Sequence, residues 1–200
     1  MLTCDLTVYD LRNTSAIVIG ASAGGLHALD ALLPAFPANT KLPVIIVLHI
    51  PASKPSLLVE IFTPKCNLKV REPDDKQEIG PGIWFAPPGY HLLVERDKTF
   101  ALSVDDPVNY SRPSIDVLFQ SASDVFGNEL LGIVLSGANS DGAAGSRIVR
   151  ENGGILMVQD PNEAEAEAMP RAAIEATNVQ CVAPLSRIAD LLRDLTVSSQ

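Results

Sequence analysis

Residues 15–25, Ser15-Ala16-Ile17-Val18-Ile19-Gly20-Ala21-Ser22-Ala23-Gly24-Gly25, decide the fold. An apolar run ending at Gly20 reads as a buried strand, and the small residues after it read as a tight turn through Ser22 into a helix. A serine on such a turn points its hydroxyl out of the sheet edge, beside the N-terminal amides of the helix that follows. Gly20, Gly24 and Gly25 give the turn conformational freedom and keep bulk away from the hydroxyl. Three uses of the turn stay open on these residues alone: a helix cap, a phosphate cradle or a nucleophile.

The same pattern recurs along the chain. Apolar runs bounded by turn residues stand at 16–20, 43–49, 130–136, 154–158 and 179–183, with helical patterns over 24–35, 54–63, 113–126, 142–152, 168–177 and 185–195. Strands that are apolar throughout, without polar alternation, are buried on both faces. The expected fold is therefore α/β: a three-layer α/β/α arrangement around a mostly parallel, doubly wound sheet. Pro113 suits a first helical turn, Gly127 and Gly153 suit C-terminal stops, and Pro170 is tolerable only near the start of its helix. Over 82–104 the pattern changes to three short strands separated by Pro87-Pro88-Gly89 and by the polar tip 95–99, which predicts a small antiparallel hairpin region. Residues 15–195 read as one domain, with 1–14 as an N-terminal extension and 196–200 as a tail.

Composition narrows the function. The chain has 200 residues, 46% of them hydrophobic, enough for one substantial core. A formal charge of −9 without a basic block argues against nucleic acid as a partner. The longest apolar run, 42–50, is too short to insert in a membrane, and no secretory leader is visible at the N-terminus. Cys4, Cys66 and Cys181 are odd in number and far apart, which suggests neither a disulfide framework nor a zinc site and fits a reducing cytoplasm.

In open α/β sheets, sites form at the carboxyl ends of strands. Ser22 follows the first strand, His49 closes the second, and Asp141 lies in the loop after a later one. A serine hydroxyl is a poor nucleophile until an imidazole takes its proton, and a carboxylate holds that imidazole in the right tautomer. His49 and Asp141 also have plainer readings, a packed histidine and an N-cap for the next helix. His27 lies inside the first helix, whereas His91, in the antiparallel section, is a candidate substrate contact. Gly20-x-Ser22-x-Gly24 satisfies GxSxG, but the order serine, histidine, acid differs from that of an α/β-hydrolase. As a dinucleotide fingerprint the same run lacks an acidic ribose partner within 40–50.

Six segments together resemble the catalytic domain of the chemotaxis protein-glutamate methylesterases, the CheB family. They are VIGASAGG (18–25), VLHIP (47–51), FAPPGYHLLV (85–94), RPSIDVLFQSAS (112–123), VLSGANSDGAAG (134–145) and QDPNEAEAEAMPRAAI (159–174). The resemblance implies a cofactor-free and metal-free cytoplasmic serine hydrolase. Its partners would be the methylated cytoplasmic helices of bacterial chemoreceptors, where it removes glutamate γ-methyl esters, with glutamine deamidation as a second activity. Carried over, Ser22 is the nucleophile, His49 the general base and Asp141 its orienting partner, with the backbone amides of Ala23 and Ala138 at the oxyanion. Arg112 and Arg171 are candidates for docking an acidic receptor segment. The chain departs from the family at Ala23, where threonine is common, and at Ala138-Asn139, where the family's loop usually reads LTGMGxDGA. Full-length members resemble a two-part protein with a receiver domain, for which these residues leave no room. A stand-alone esterase controlled by a separate regulatory protein is the expectation. An esterase or amidase acting on another substrate, and a silent receptor-binding module, are the rival readings.

Overall fold

The computed structural model describes Cys4 and residues 11–50 and 55–197. Nine strands and six α-helices follow one another among them: β1 (Ala16–Ala21), α1 (Gly25–Leu32), β2 (Pro43–Leu48), α2 (Leu58–Phe62), β3 (Val70–Arg71), β4 (Gly82–Phe85), β5 (His91–Val94), β6 (Phe100–Ser103), α3 (Ile115–Phe126), β7 (Leu130–Val134), α4 (Ala143–Glu151), β8 (Ile155–Gln159), α5 (Ala168–Ala176), β9 (Cys181–Ala183) and α6 (Leu185–Val197). Seven strands make one sheet in the order β3-β4-β2-β1-β7-β8-β9, all neighbours parallel, and β5 pairs antiparallel with β6 beside it.

Every residue of β1, β2, β7 and β8 is buried, as two-sided coverage by helices requires. Alternation along β1 divides the core. Ile17, Ile19 and Ala21 pack with Leu29, Leu32, Phe62, Ile188 and Leu192, on the side of α1, α2 and α6. Ala16 and Val18 pack with Ile115, Phe119, Val149, Met169 and Phe100, on the side of α3, α4, α5 and the hairpin. No described helix is long and apolar enough to cross a membrane.

The topology fixes where a site can stand. From β1 the chain winds outward through β2, then returns across the sheet to lay β7 against the other side of β1. The carboxyl ends of β2, β1 and β7 therefore meet at the topological switch point, where a crevice opens. Hydrogen bonds run past the strand ends and hold this crevice in register: His49 N–H to the Ala21 carbonyl (3.1 Å), Ser22 N–H to that of Ser136 (2.9 Å) and Leu135 N–H to that of Gly20 (2.9 Å).

Several expectations need correction. The segment 82–104 holds one antiparallel pair, not three antiparallel strands, because β4 joins the main sheet parallel to β2. The two-residue strand β3 is too short to leave a periodic trace in the sequence. Pro113 lies before α3 rather than in its first turn: Ser114 is the N-cap and Ile115 the first helical residue. α2 begins at Leu58; the expected start at Lys54 lies outside the described residues, as do most of the proposed extension 1–14 and the end of the tail. Against the expectation of free thiols, Cys4 and Cys181 form a disulfide with Cα atoms 3.8 Å apart. The physical cause is an antiparallel bridge that lays Cys4 directly opposite Cys181 on β9, at the sheet edge.

Candidate active site

Ser22, His49 and Asp141 stand in a hydrogen-bonded line. The Ser22 Oγ lies 3.2 Å from His49 Nδ1, and His49 Nε2 lies 2.8 Å from Asp141 Oδ2. An ionised carboxylate only accepts, so Nε2 carries the proton toward Asp141 and the Nδ1 lone pair faces the serine hydroxyl. The imidazole thus meets its serine through Nδ1 and its acid through Nε2. The His49 side chain is 13% exposed and that of Asp141 is fully buried, so the serine end of the line opens to the crevice and the acid end is closed from water.

The Asp141 carboxylate is held from several directions. Oδ2 accepts from Ile115 N–H (2.7 Å) besides His49; Oδ1 accepts from Ser114 Oγ–H (2.8 Å), Asn109 Nδ2–H (3.1 Å) and Asp116 N–H (3.2 Å). Burial alone would raise its pKa, but the bonds from His49, Ile115, Asn109 and Ser114 outweigh burial and hold the carboxyl below its ordinary range. Asp141 is not the cap of its own helix, since α4 is preceded by Gly142 with no side-chain cap. It caps α3 instead, through the amides of Ile115 and Asp116. Asp116 returns the arrangement: its Oδ1 accepts from Gly142 N–H (2.9 Å) and Gly145 N–H (2.7 Å), capping α4. Burial, first, and the charge of Asp141 raise the Asp116 pKa against the backbone bond from Gly145. The exchange demands close helix contact, and Gly145 permits it: a Cβ there would stand 2.6 Å from Phe119 Cβ and 3.1 Å from Asp116 Cα.

Ser114, Asn109 and Asp116 were not among the residues singled out from sequence. Their common sign is proximity to RPSID at 112–116, a run that opens a helix with small and acidic residues. Losing the Ser114 hydroxyl from this buried carboxylate is expected to lower the unfolding free energy of Ser114→Ala by about 1.5–3 kcal/mol. Urea denaturation checks this, and a change under about 0.5 kcal/mol would dismiss the bond as a support of Asp141.

The remaining expected residues fall on either side of this line. Ala23 and Ala138 are exposed residues, and among the described residues neither N–H is taken by a hydrogen bond. The Ala23 carbonyl accepts from Ser136 Oγ–H (2.7 Å), which fixes the turn after the serine. His91 is 2% exposed. Its Nδ1 accepts from Ser114 N–H (3.2 Å) and its Nε2–H donates to the Asp106 carbonyl (3.2 Å), so the expected substrate contact gives way to a structural role beneath α3. Arg112 donates to the carbonyls of Val104 (2.7 Å) and Asp105 (2.9 Å), bracing the 104–113 loop. Arg171 is paired with Glu167 at 2.7 Å and lines neither cleft of the site, which leaves its charge compensated away from the serine.

Two clefts flank His49. One of about 440 Å³ is lined by His49, Ile50, Pro107, Tyr110, Arg112 and Pro113, and the other, about 330 Å³, by Ser22, Gly24, Leu26, His27, His49 and Glu165 among others. An acyl group entering the second cleft meets a serine whose proton the imidazole can accept. This is the equipment of acyl transfer.

Comparison with known proteins agrees with the fold. The CheB methylesterase family matches residues 17–192. A putative protein-glutamate methylesterase/protein-glutamine glutaminase of Leptospira interrogans is 51% identical over 180 residues, covering 90% of this chain and 93% of that protein. The protein-glutamate methylesterase/protein-glutamine glutaminase of Maricaulis maris is 37% identical over 172 residues, covering 82% of this chain and 43% of the relative. The crystal structure of the Thermotoga maritima CheB methylesterase catalytic domain superposes with a TM-score of 0.86 at 28% identity, covering 91% of this chain and 98% of that one.

Proposed function

We propose, from the premise that this chain belongs to the CheB methylesterase family, that it is a serine hydrolase which demethylates glutamate γ-methyl esters on bacterial chemoreceptors and deamidates receptor glutamines. The observation that carries the reading is the Ser22–His49–Asp141 line at the switch point of the sheet. Ser22 Oγ attacks the γ-carbonyl carbon while its proton passes to His49 Nδ1. Asp141 faces the Nε2–H and stabilises the imidazolium as it forms. The amides of Ala23 and Ala138 donate to the tetrahedral oxyanion, a contribution of roughly 3–4 kcal/mol per well-placed donor. Nδ1 then returns the proton to the departing methoxide oxygen, and methanol leaves. In the second half, His49 takes a proton from water as it attacks the glutamyl ester of Ser22; collapse returns that proton to Ser22 Oγ and frees the carboxylate.

Such a substrate lies on the cytoplasmic side of the membrane. In that reducing compartment the Cys4–Cys181 pair would be held as thiols, leaving the backbone bridge between them. With a net charge of −9, the domain needs local positive charge where an acidic receptor helix docks, and Arg112, which lines the same cleft as His49, is the candidate for it. Control would come from a separate regulatory protein, in a domain we take as 15–195.

The test is product analysis with two peptides that share one helical sequence and carry either γ-methyl glutamate or glutamine at one position. Methanol release from the first is the expected result, with slower ammonia release from the second. Ammonia release alone would make the protein an amidase, and release of neither would end the enzymatic reading.

A further inference from the structure

Among the described residues, the cleft that holds Ser22 is lined by Leu26, Leu48 and Ile50, by the imidazoles of His27 and His49, and by one carboxyl side chain, that of Glu165. No lysine or arginine among the described residues lines it, and Arg112 lines the other cleft. Glu165 is held over the nucleophile turn by its backbone. The Ala164 N–H donates to the Asp160 carbonyl (3.2 Å) and the Ala166 N–H to Ser136 Oγ (2.9 Å), the same hydroxyl that donates to the Ala23 carbonyl. The side chain occupies the space left by Gly24, whose φ is +74°: a Cβ there would stand 2.6 Å from Glu165 Cβ and 3.1 Å from its Oε2. Among the described residues no hydrogen bond or ion pair engages the Glu165 carboxyl group. It belongs neither to the acyl-transfer line nor to the helix caps.

We infer that Glu165 is a specificity-determining residue that makes the cleft accept a neutral γ-acyl group, ester or amide, and reject the γ-carboxylate. The inference rests on the reading of Ser22 as an acyl acceptor and names what that site selects. Deamidation replaces a neutral amide by an anion of nearly the same shape, and demethylation removes only one methyl group, so steric fit separates substrate from product weakly. The charge of Glu165, an exposed carboxyl side chain that lines the cleft, can tell them apart. For unit charges about 6–8 Å apart at an effective dielectric of about 20–40, repulsion corresponds to roughly five- to hundredfold in affinity. Discrimination by an added repulsive element works without loss of contacts to the preferred ligand. Two consequences follow for the reaction: the freshly formed carboxylate is driven out, and unmethylated glutamates do not occupy the cleft.

Binding to the Ser22→Ala protein, in which no turnover intervenes, tests this. The ligands are three copies of one otherwise uncharged helical peptide bearing glutamine, γ-methyl glutamate or glutamate at a single position. The glutamine and ester peptides are expected to bind about tenfold more tightly than the glutamate peptide, by a margin that shrinks as salt rises. In the Ser22→Ala/Glu165→Gln protein, where the replacement is isosteric, the three affinities are expected to fall within about twofold of one another. An unchanged ratio in the double variant, equal binding already in Ser22→Ala, or no measurable binding of any peptide would each overturn the inference. The functional reading fails separately, through absence of methanol release by the protein with Ser22 intact.

Discussion

Ser22→Ala is expected to lower methanol release from a γ-methyl glutamate peptide by a factor of roughly 10⁴ to 10⁶ while leaving the fold in place. The size of the loss follows from the division of labour within the line. His49 Nδ1 can accept a proton only from a group that then bonds to the substrate carbon, and alanine supplies none. The structural roles of residue 22 belong to its backbone: its N–H donates to Ser136 (2.9 Å) and its carbonyl accepts from Gly25 (2.8 Å). Both survive the substitution, so the thermal midpoint should shift by no more than about 2 °C, the low end of what about 1 kcal/mol does in a domain of this size. Residual hydrolysis within about tenfold of the unaltered protein would remove Ser22 from the mechanism.

Asp141→Asn should combine a rate effect with a stability effect. Asparagine cannot stabilise the imidazolium as a carboxylate does, and its amide can impose the wrong imidazole tautomer, a change that costs about 10⁴ in kcat in triads of this type. Stability falls because the amide NH₂ must face donors whichever way it turns. One side of the carboxylate meets His49 Nε2 and Ile115 N–H, the other Ser114 Oγ, Asn109 Nδ2 and Asp116 N–H. Each buried donor left without an acceptor costs about 1–3 kcal/mol, and the N-terminus of α3 loses its cap. The pH dependence identifies the group. The Asp141 carboxyl is held below its ordinary range, so the stability it contributes is full above about pH 3.9 and is lost as pH falls through its folded value. Asp116, raised chiefly by burial, contributes with the opposite sign, weakening the fold as it ionises. Urea unfolding of Asp141→Asn across this acid window should show less acid-side loss than that of the unaltered protein, and a parallel pH profile would contradict the assignment.

The strand ends were legible because burial and turn chemistry write them plainly. Ala16–Ala21 and Pro43–Leu48 are apolar at every position, and Ser22, His49 and Asp141 each stand within a few residues of the glycines, prolines or helix starts that bound such runs. The hairpin β5–β6 was announced by its polar tip. The signal before it was over-read, since Gly82–Phe85 is buried at every position in the manner of a parallel strand, and only its nearness to Pro87-Pro88-Gly89 suggested a hairpin partner.

What was not legible depends on contacts between elements. Nothing in the spacing of Asp116 and Asp141 says that each caps the other's helix, because each also suits a cap position close to it in sequence. Asn109 reaches Asp141 from a loop in which it and Tyr110 take left-handed backbone angles, φ 50° and 62°. Such a conformation has no periodic trace, although asparagine adopts it more readily than most residues. The Cys4–Cys181 contact joins residues 177 positions apart, through an edge pairing that no local pattern encodes. For His91 the sequence offers only a residue type in the antiparallel section; the structure buries it under α3, where its two ring nitrogens serve the loop before that helix.

The central claim is that Ser22 becomes the acyl carrier because His49 activates it, and peptide mapping by mass spectrometry after treatment with a fluorophosphonate tests it most directly. One adduct on the peptide containing Ser22, absent in Ser22→Ala and strongly diminished in His49→Ala, is the predicted result. An unlabelled Ser22 in a protein that still releases methanol, or labelling that is indifferent to His49, would contradict the account.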